Sequence, residues 1–198
     1  MIKIIGTTHL DSKEAIEGTI KDFNPDMLGV ELCETRFKAI TGELPKGKGD
    51  NSLIDNISNS IKEKAEQERL DYGSDMKTVL FYAINNQIPL ALVDKNILEI
   101  KQSLVTLPLE EHLFLQKELA RFQSEEINKK VDEEEVIKNL KDNVPIMYKV
   151  LIKERNQYII NKIKELDSKN KDKRILIFLG KGHVKAVEEG LIWTLGDL

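Results

Sequence analysis

Short apolar runs alternate with amphipathic stretches along this chain. Four runs have the length and composition of buried β-strands, at residues 2–5, 27–30, 88–93 and 175–179. After the first run, apolar residues recur at helical spacing over residues 16–23, and Asp11 and Glu14 form a capping pair at the predicted helix start. The order strand, helix, strand predicts an α/β fold in which the first two strands are parallel.

Charged sequence with helical periodicity dominates the middle of the chain. Helices are predicted at about 53–70, 75–86, 98–140 and 145–166, with breaks near Pro108 and Asp132. A last helix follows the fourth strand, and Gly190 is predicted to stop it. Turn residues and charges at Gly42–Ser52 predict a mobile loop. We therefore predict one α/β domain over residues 1–198. It has a small, mostly parallel central sheet flanked by helices, with a large helical insertion at about 53–166 around the third strand.

One sequence motif occurs at both ends of the chain: an apolar strand, then Gly-x-x-His, then a predicted helix. Its two copies end in Gly6–His9 and in Gly180–His183. Glycine permits a tight turn, and ligand sites in open α/β sheets lie at the carboxyl ends of the strands. The repetition predicts that His9 and His183 lie close together at one edge of the sheet.

Polar side chains follow all four predicted strands: His9, Glu31, Asp94 and His183. Two imidazoles with one or two carboxylates are a ligand set for a catalytic divalent metal, which would activate water or polarise a carbonyl. Each residue also has a structural alternative. A histidine at a strand end often only makes hydrogen bonds, and the two acids are also suited to capping the helices that follow them.

Three more charged residues are candidates, and their roles stay open. Arg36, one helical turn after Glu31, and Arg155 are candidates to hold a carboxylate or to stabilise an oxyanion. Either Glu154 or Asp94 would be a base or a further metal ligand. The alternative for the pair at 154 and 155 is a solvated helix face.

Composition and charge narrow the class of protein. The net charge of −4 gives no support for nucleic-acid binding. The single cysteine, Cys33, excludes an internal disulfide and fits a reducing compartment. No signal peptide is visible, and no apolar run approaches the roughly 18–20 residues that span a bilayer. We predict a cytoplasmic protein with no membrane segment in this chain, and leave a homodimer open.

Taken in order, these motifs resemble the TraB/PrgY family, which is related to the TIKI proteases and to GumN-type proteins. The matching segments are GTTH at 6–9, ELCETR at 31–36, YGSDM at 72–76, LVDK at 92–95, ERN at 154–156 and GKGH at 180–183. Asp75 and Lys95 depart from the family's usual glutamate and arginine. The first change shortens the acidic side chain, and the second replaces the planar guanidinium of arginine with the compact ammonium group of lysine.

The resemblance implies a metal-dependent peptidase that acts on a peptide or protein with manganese or cobalt, and zinc as a further option. The predicted metal ligands are His9, Glu31 and His183, the predicted catalytic or substrate-holding residues are Glu31, Arg36, Glu154 and Arg155, and further site residues are Asp94, Gly6 and Gly180. A rival function is peptide binding without turnover, since PrgY is associated with reducing a peptide pheromone by binding or by cleavage.

Two further expectations follow from this picture. Many family members carry C-terminal membrane segments, whereas this chain ends at Leu198 without one, which argues against a membrane role. Replacing a metal ligand at a sheet edge should cost little stability, within about 1–2 kcal/mol, because such residues make few packing contacts.

Overall fold

A four-stranded parallel sheet forms the centre of the structure, a computed structural model that describes residues 1–8, 11–44, 53–67, 73–124 and 133–192. The strands are β1 (Ile2–Thr7), β2 (Met27–Val30), β3 (Leu90–Leu92) and β4 (Ile175–Gly180). Their order across the sheet is β1-β4-β2-β3, and each neighbouring pair is parallel. The predicted α/β class with a small parallel sheet is confirmed. The first two strands run in the same direction but are not neighbours, because β4 lies between them.

Helices occupy most of the remaining described residues. They are α1 (Lys13–Phe23), α2 (Glu34–Thr41), α3 (Leu53–Gln67), α4 (Ser74–Asn85), α5 (Ile97–Ser103), α6 (Leu109–Ser124), α7 (Glu133–Asn143), α8 (Pro145–Tyr148), α9 (Glu154–Lys169) and α10 (Lys181–Ile192). A π-helical turn, Lys149–Lys153, joins α8 to α9. Pro145 begins this long helix, as predicted, because its missing N–H is not needed in the first turn.

Strand β4 supplies side chains to two hydrophobic clusters, one on each face of the sheet. Leu176 and Phe178 pack with α1 and α4, whereas Ile175, Ile177 and Leu179 pack with α9 and α10. All six residues of β4 are buried, so the strand is apolar throughout, as expected for a parallel strand covered on both faces. A third cluster, which includes Ile100, Leu104, Leu115, Val144, Met147 and Val150, lies among α5, α6, α8 and the π-helical turn.

Two helix boundaries differ from the sequence prediction. The side chain of Ser12, rather than Asp11, caps α1 by accepting the N–H of Ala15, while Asp11 accepts the N–H of Thr8. Gly190, predicted as a helix stop, lies inside α10. A Cβ added there would lie 2.4 Å from Cδ1 of Ile160. The glycine therefore allows α10 to pack closely on α9 instead of ending the helix.

Several predictions are not addressed by these residues. His9 and positions 45–52 of the predicted mobile loop lie outside the described part of the chain, and the assignment of all 198 residues to one domain stays a prediction. Among the helices that the structure describes, none combines the length and the apolar character needed to cross a bilayer.

Candidate functional site

Backbone hydrogen bonds place two acidic residues just beyond the ends of β2 and β3. The N–H of Glu31 donates to the carbonyl of Phe178 in β4, and the N–H of Asp94 donates to the carbonyl of Leu32. Both carboxylates are buried, with 5% of Glu31 and 3% of Asp94 exposed. Two acids held this far from water require partners, because an isolated buried charge is strongly unfavourable.

The partner that both acids share is the guanidinium of Arg155, in the first turn of α9. Its Nε and Nη2 donate to Oδ1 and Oδ2 of Asp94, each at 2.9 Å, which is a bidentate pair. Nη2 also donates to Oε1 of Glu31 at 2.5 Å. Burial by itself would lower the pKa of Arg155, but the charges and hydrogen bonds of the two carboxylates outweigh it and raise the pKa above its ordinary value. Arg155 is therefore a permanent cation between two anions.

Two cationic side chains, Arg36 and Lys95, border the buried cluster of Glu31, Asp94 and Arg155. Nη1 of Arg36 lies 3.6 Å from Oδ2 of Asp94, and 42% of the Arg36 side chain is exposed. Nζ of Lys95 lies 2.9 Å from Oε2 of Glu154, with 35% of the Glu154 side chain exposed. Arg36 therefore extends from the buried acids toward solvent, and Glu154 forms a separate ion pair beside Arg155.

His183 reaches the same cluster from the first turn of α10. Its Nε2 lies 3.5 Å from Oε1 of Glu31, and its Nδ1 lies 2.6 Å from Oδ1 of Asn156. Only 6% of His183 and 8% of Asn156 are exposed. The structure thus brings together Glu31, Asp94, Arg36, Arg155 and His183, five of the residues singled out in the sequence.

Gly6 and Gly180, the glycines of the repeated Gly-x-x-His motif, have different surroundings. The N–H of Gly180 donates to Oε2 of Glu31 at 2.6 Å, so this glycine contacts the cluster through its backbone. A Cβ on Gly6 would lie 3.0 Å from both Cγ of Lys181 and Cγ2 of Val184. Gly6 therefore permits β1 to lie close against the start of α10, which is a packing role.

The donor atoms present suit a divalent metal only in part. Carboxylate oxygen and imidazole nitrogen are donors that manganese, cobalt and zinc accept. Within the described ranges, however, no group of three or more His, Cys, Asp or Glu side chains is arranged to hold an ion. Glu31 and His183 converge, and the third predicted ligand, His9, lies outside those ranges.

Glu31 is more deeply embedded than a ligand at an open sheet edge. Its two oxygens accept hydrogen bonds from Arg155 and from the N–H of Gly180. The expectation that its replacement costs little stability is therefore revised, because removing Glu31 leaves a buried arginine with one anion fewer.

Asn156 contacts His183 in the site, but no role was predicted for it from the sequence. It lies in the ERN segment next to Arg155, and only its charged neighbours, Glu154 and Arg155, were predicted to be site residues. A buried asparagine at 8% exposure needs hydrogen-bond partners. Helical spacing offered a hint, since Asn156 shares the inward face of α9 with Ile159, Ile160 and Ile163.

The π-helical turn directly precedes Glu154, Arg155 and Asn156. Its i→i+5 hydrogen bonding changes the direction in which the following residues project, and such turns are frequent at functional sites. Nη1 of Arg155 donates back to the carbonyl of Leu151 within this turn. The turn therefore helps to fix where the guanidinium lies.

Comparison with known proteins agrees with the family resemblance that the order of the motifs indicated. Residues 3–195 match the TraB/PrgY/gumN family. An uncharacterized protein of Methanocaldococcus jannaschii, MJ1365, is 29% identical over 208 aligned positions, which cover 94% of this chain and 52% of that protein. The chain thus spans about half the length of this relative. Because the family match covers nearly the whole sequence, the chain belongs to the TraB/PrgY/gumN family.

Proposed function

We propose that this protein is a metal-dependent hydrolase, and that its substrate is a peptide. The observation that carries the hydrolase proposal is the convergence of Glu31 and His183 beyond the carboxyl ends of β2 and β4, with Nε2 and Oε1 3.5 Å apart. Open α/β sheets bind ligands at this edge. The choice of a peptide is supported only by the family resemblance.

Glu31 and His183 would hold the ion together with His9, and manganese or cobalt is the metal we propose, with zinc as an alternative. Such an ion, when bound, supplies Lewis-acid activation of water or of a carbonyl. Arg155 has a separate task. It fixes the Glu31 carboxylate by a hydrogen bond to Oε1, and Asp94 anchors Arg155 in turn through two hydrogen bonds. A ligand oriented by such outer contacts needs little rearrangement to bind.

Arg36 and Glu154 are the groups with access to a substrate. The side chain of Arg36 is 42% exposed beside Asp94, so Arg36 is the better choice of the two arginines for holding a peptide carboxylate or a developing oxyanion. Both oxygens of Asp94 accept hydrogen bonds from Arg155, whereas Glu154 is partly exposed. We therefore assign the role of base to Glu154 rather than to Asp94.

Peptide binding without turnover is the second candidate function. The exposed part of Arg36 favours it, because one partly solvated guanidinium suffices to capture a carboxylate. A sequestering protein of the pheromone-shutdown type would use the same edge of the sheet and would need neither the metal nor a base.

The first prediction separates these functions by metal content. Protein without a polyhistidine tag should bind one manganese or cobalt ion at micromolar concentration and hydrolyse members of a mixed peptide library. His183→Ala should lose both properties, because it removes an imidazole ligand. Elemental analysis and mass spectrometry of the peptides measure the two outcomes.

His112→Ala is the matched control, since it removes an imidazole from α6 rather than from the site. It should leave metal content and cleavage unchanged. Wild-type protein that binds no divalent ion and cleaves no peptide would contradict the hydrolase proposal. Retention of labelled peptides by that same metal-free protein, lost in Arg36→Ala, would then support the sequestering function.

A further inference from the structure

We propose that Asn156 is a positioning residue that selects one tautomer of His183, with the proton on Nδ1 and the lone pair of Nε2 directed toward Glu31. The inference deepens the proposed function, on which it rests only for its consequence for metal affinity. The tautomer itself is a property of the protein alone, and its test does not require activity.

With Oδ1 of Asn156 facing the ring, the hydrogen bond between Asn156 and His183 can have only one direction. Oδ1 of Asn156 lies 2.6 Å from Nδ1 of His183, and an amide oxygen carries lone pairs but no proton. Nδ1 must therefore be the donor. In the neutral imidazole the other nitrogen then has no proton, so Nε2 presents a lone pair.

The tautomer concerns the neutral imidazole, which is the form that binds a metal ion. On the Nε2 side of this ring lies Oε1 of Glu31, which also accepts a hydrogen bond from Nη2 of Arg155 at 2.5 Å.

The resulting geometry sets two electron-pair donors opposite each other. Nε2 of His183 and Oε1 of Glu31 are 3.5 Å apart, and both are acceptors when the imidazole is neutral with its proton on Nδ1. Such a pair suits a shared cation. The reversed amide, with its NH2 group toward Nδ1, would place the imidazole proton on Nε2, and His183 would then be a hydrogen-bond donor to Glu31 rather than a ligand.

The position of Asn156 is fixed by its burial on the inward face of α9. It is 8% exposed on the face of α9 that carries Ile159, Ile160 and Ile163 into the core. Outer residues that fix the tautomer of a metal-binding histidine typically change metal affinity 10–100-fold when they are replaced. We expect an effect of this size from Asn156, although it would not touch the ion.

Nitrogen-15 NMR of the histidine rings, in metal-free protein and mildly alkaline buffer, tests the tautomer directly. The chain has three histidines, so His183→Ala identifies the signals of this ring. Wild-type His183 should show a protonated Nδ1 and an unprotonated Nε2. Asn156→Ala should shift the ring toward the other tautomer, while His112 stays unchanged.

Asn156→Asp is the rescue variant, since it keeps an acceptor oxygen at the same distance along the side chain. It should restore the tautomer, and Co²⁺ affinity measured by calorimetry should fall about 10–100-fold in Asn156→Ala but much less in Asn156→Asp. A merely structural role would not show this pattern.

Two results would overturn the inference. One is a proton on Nε2 in the wild-type protein, which decides the matter even if Asn156→Ala fails to fold. The other is an unchanged tautomer in a folded Asn156→Ala variant. If the tautomer is as proposed and Co²⁺ does not bind to the wild type, the inference stands and the metal-dependent function fails.

Discussion

At the scale of residues, Arg155 is the side chain on which the buried charges depend. It pairs with Glu31 and Asp94, and 12% of its side chain is exposed, against 5% and 1% for the two acids. Breaking a buried ion pair from one side is far more destabilising than forming it is stabilising, because the remaining charges lose the compensation that the removed partner supplied. Both the stability of the protein and its proposed function therefore depend on Arg155.

Arg155→Ala should lower the free energy of unfolding by about 3–5 kcal/mol, because it leaves two buried carboxylates without this cation. Urea unfolding measures the change. The matched control is Lys162→Ala on the same helix, which removes an exposed cation paired with Glu165 and should cost under about 1 kcal/mol. Equal and small effects of the two variants would show that the acids do not depend on Arg155.

Some of these residues could be identified from the sequence, and others could not. Glu31, Asp94 and His183 were found because each follows an apolar strand, and parallel strands bring their carboxyl ends to one edge. The partner of Glu31 lies 124 positions later, on a helix, and no local pattern specifies which charged residue of a helix faces inward. Asn156 was missed for the same reason, since a neutral amide gives no signal in a charged segment.

At the scale of elements, α9 and α10 pack closely because one of them carries a glycine at the contact. A Cβ at Gly190 would lie 2.4 Å from Cδ1 and 3.2 Å from Cγ1 of Ile160. The sequence alone favoured a helix end at Gly190, since glycine is common there. Close packing between helices also favours glycine, so only the position of the neighbouring helix distinguishes a packing contact at Gly190 from a helix end.

Gly190→Ala should therefore be destabilising, by about 1–3 kcal/mol, because the added methyl overpacks the contact with Ile160. Thermal or urea unfolding tests this. Gly18→Ala is the control: Gly18 lies within α1 with nothing within 4 Å of its added Cβ, so it should stabilise the protein by up to about 1 kcal/mol.

A second variant checks the cause of the Gly190→Ala effect. Ile160→Val removes the Cδ1 atom that the new methyl would meet, so the two changes together should cost less than the sum of their separate effects. Strict additivity would contradict the proposed contact.

At the scale of the whole molecule, the last strand that the structure describes lies in the interior of the sheet. β4 pairs with β1 on one side and with β2 on the other, so the sheet is incomplete until residue 180 has been added. The pattern of the sequence indicated four strands and their parallel direction, but not their order. Strand order depends on which crossovers bury most surface, a property of the entire chain rather than of any segment.

The three hydrophobic clusters should differ in their resistance to opening. Hydrogen exchange followed by mass spectrometry should show the slowest exchange in β4, which is fully buried between two clusters. The N–H groups of α5 and α6 should exchange faster, because these helices are stabilised by the separate third cluster. Equal protection of all these elements would show instead that the clusters open as one unit.

The π-helical turn makes the number of residues between α8 and α9 structurally important. An i→i+5 turn holds one residue more than an α-helical turn, and each residue rotates a helix by about 100°. Losing one position between 149 and 153 would swing either Met147 and Val150 out of the third cluster or Arg155 away from the carboxylates. Lys149 and Lys153 are exposed, so among relatives these two positions should accept substitutions, whereas the segment as a whole should accept no deletion or insertion.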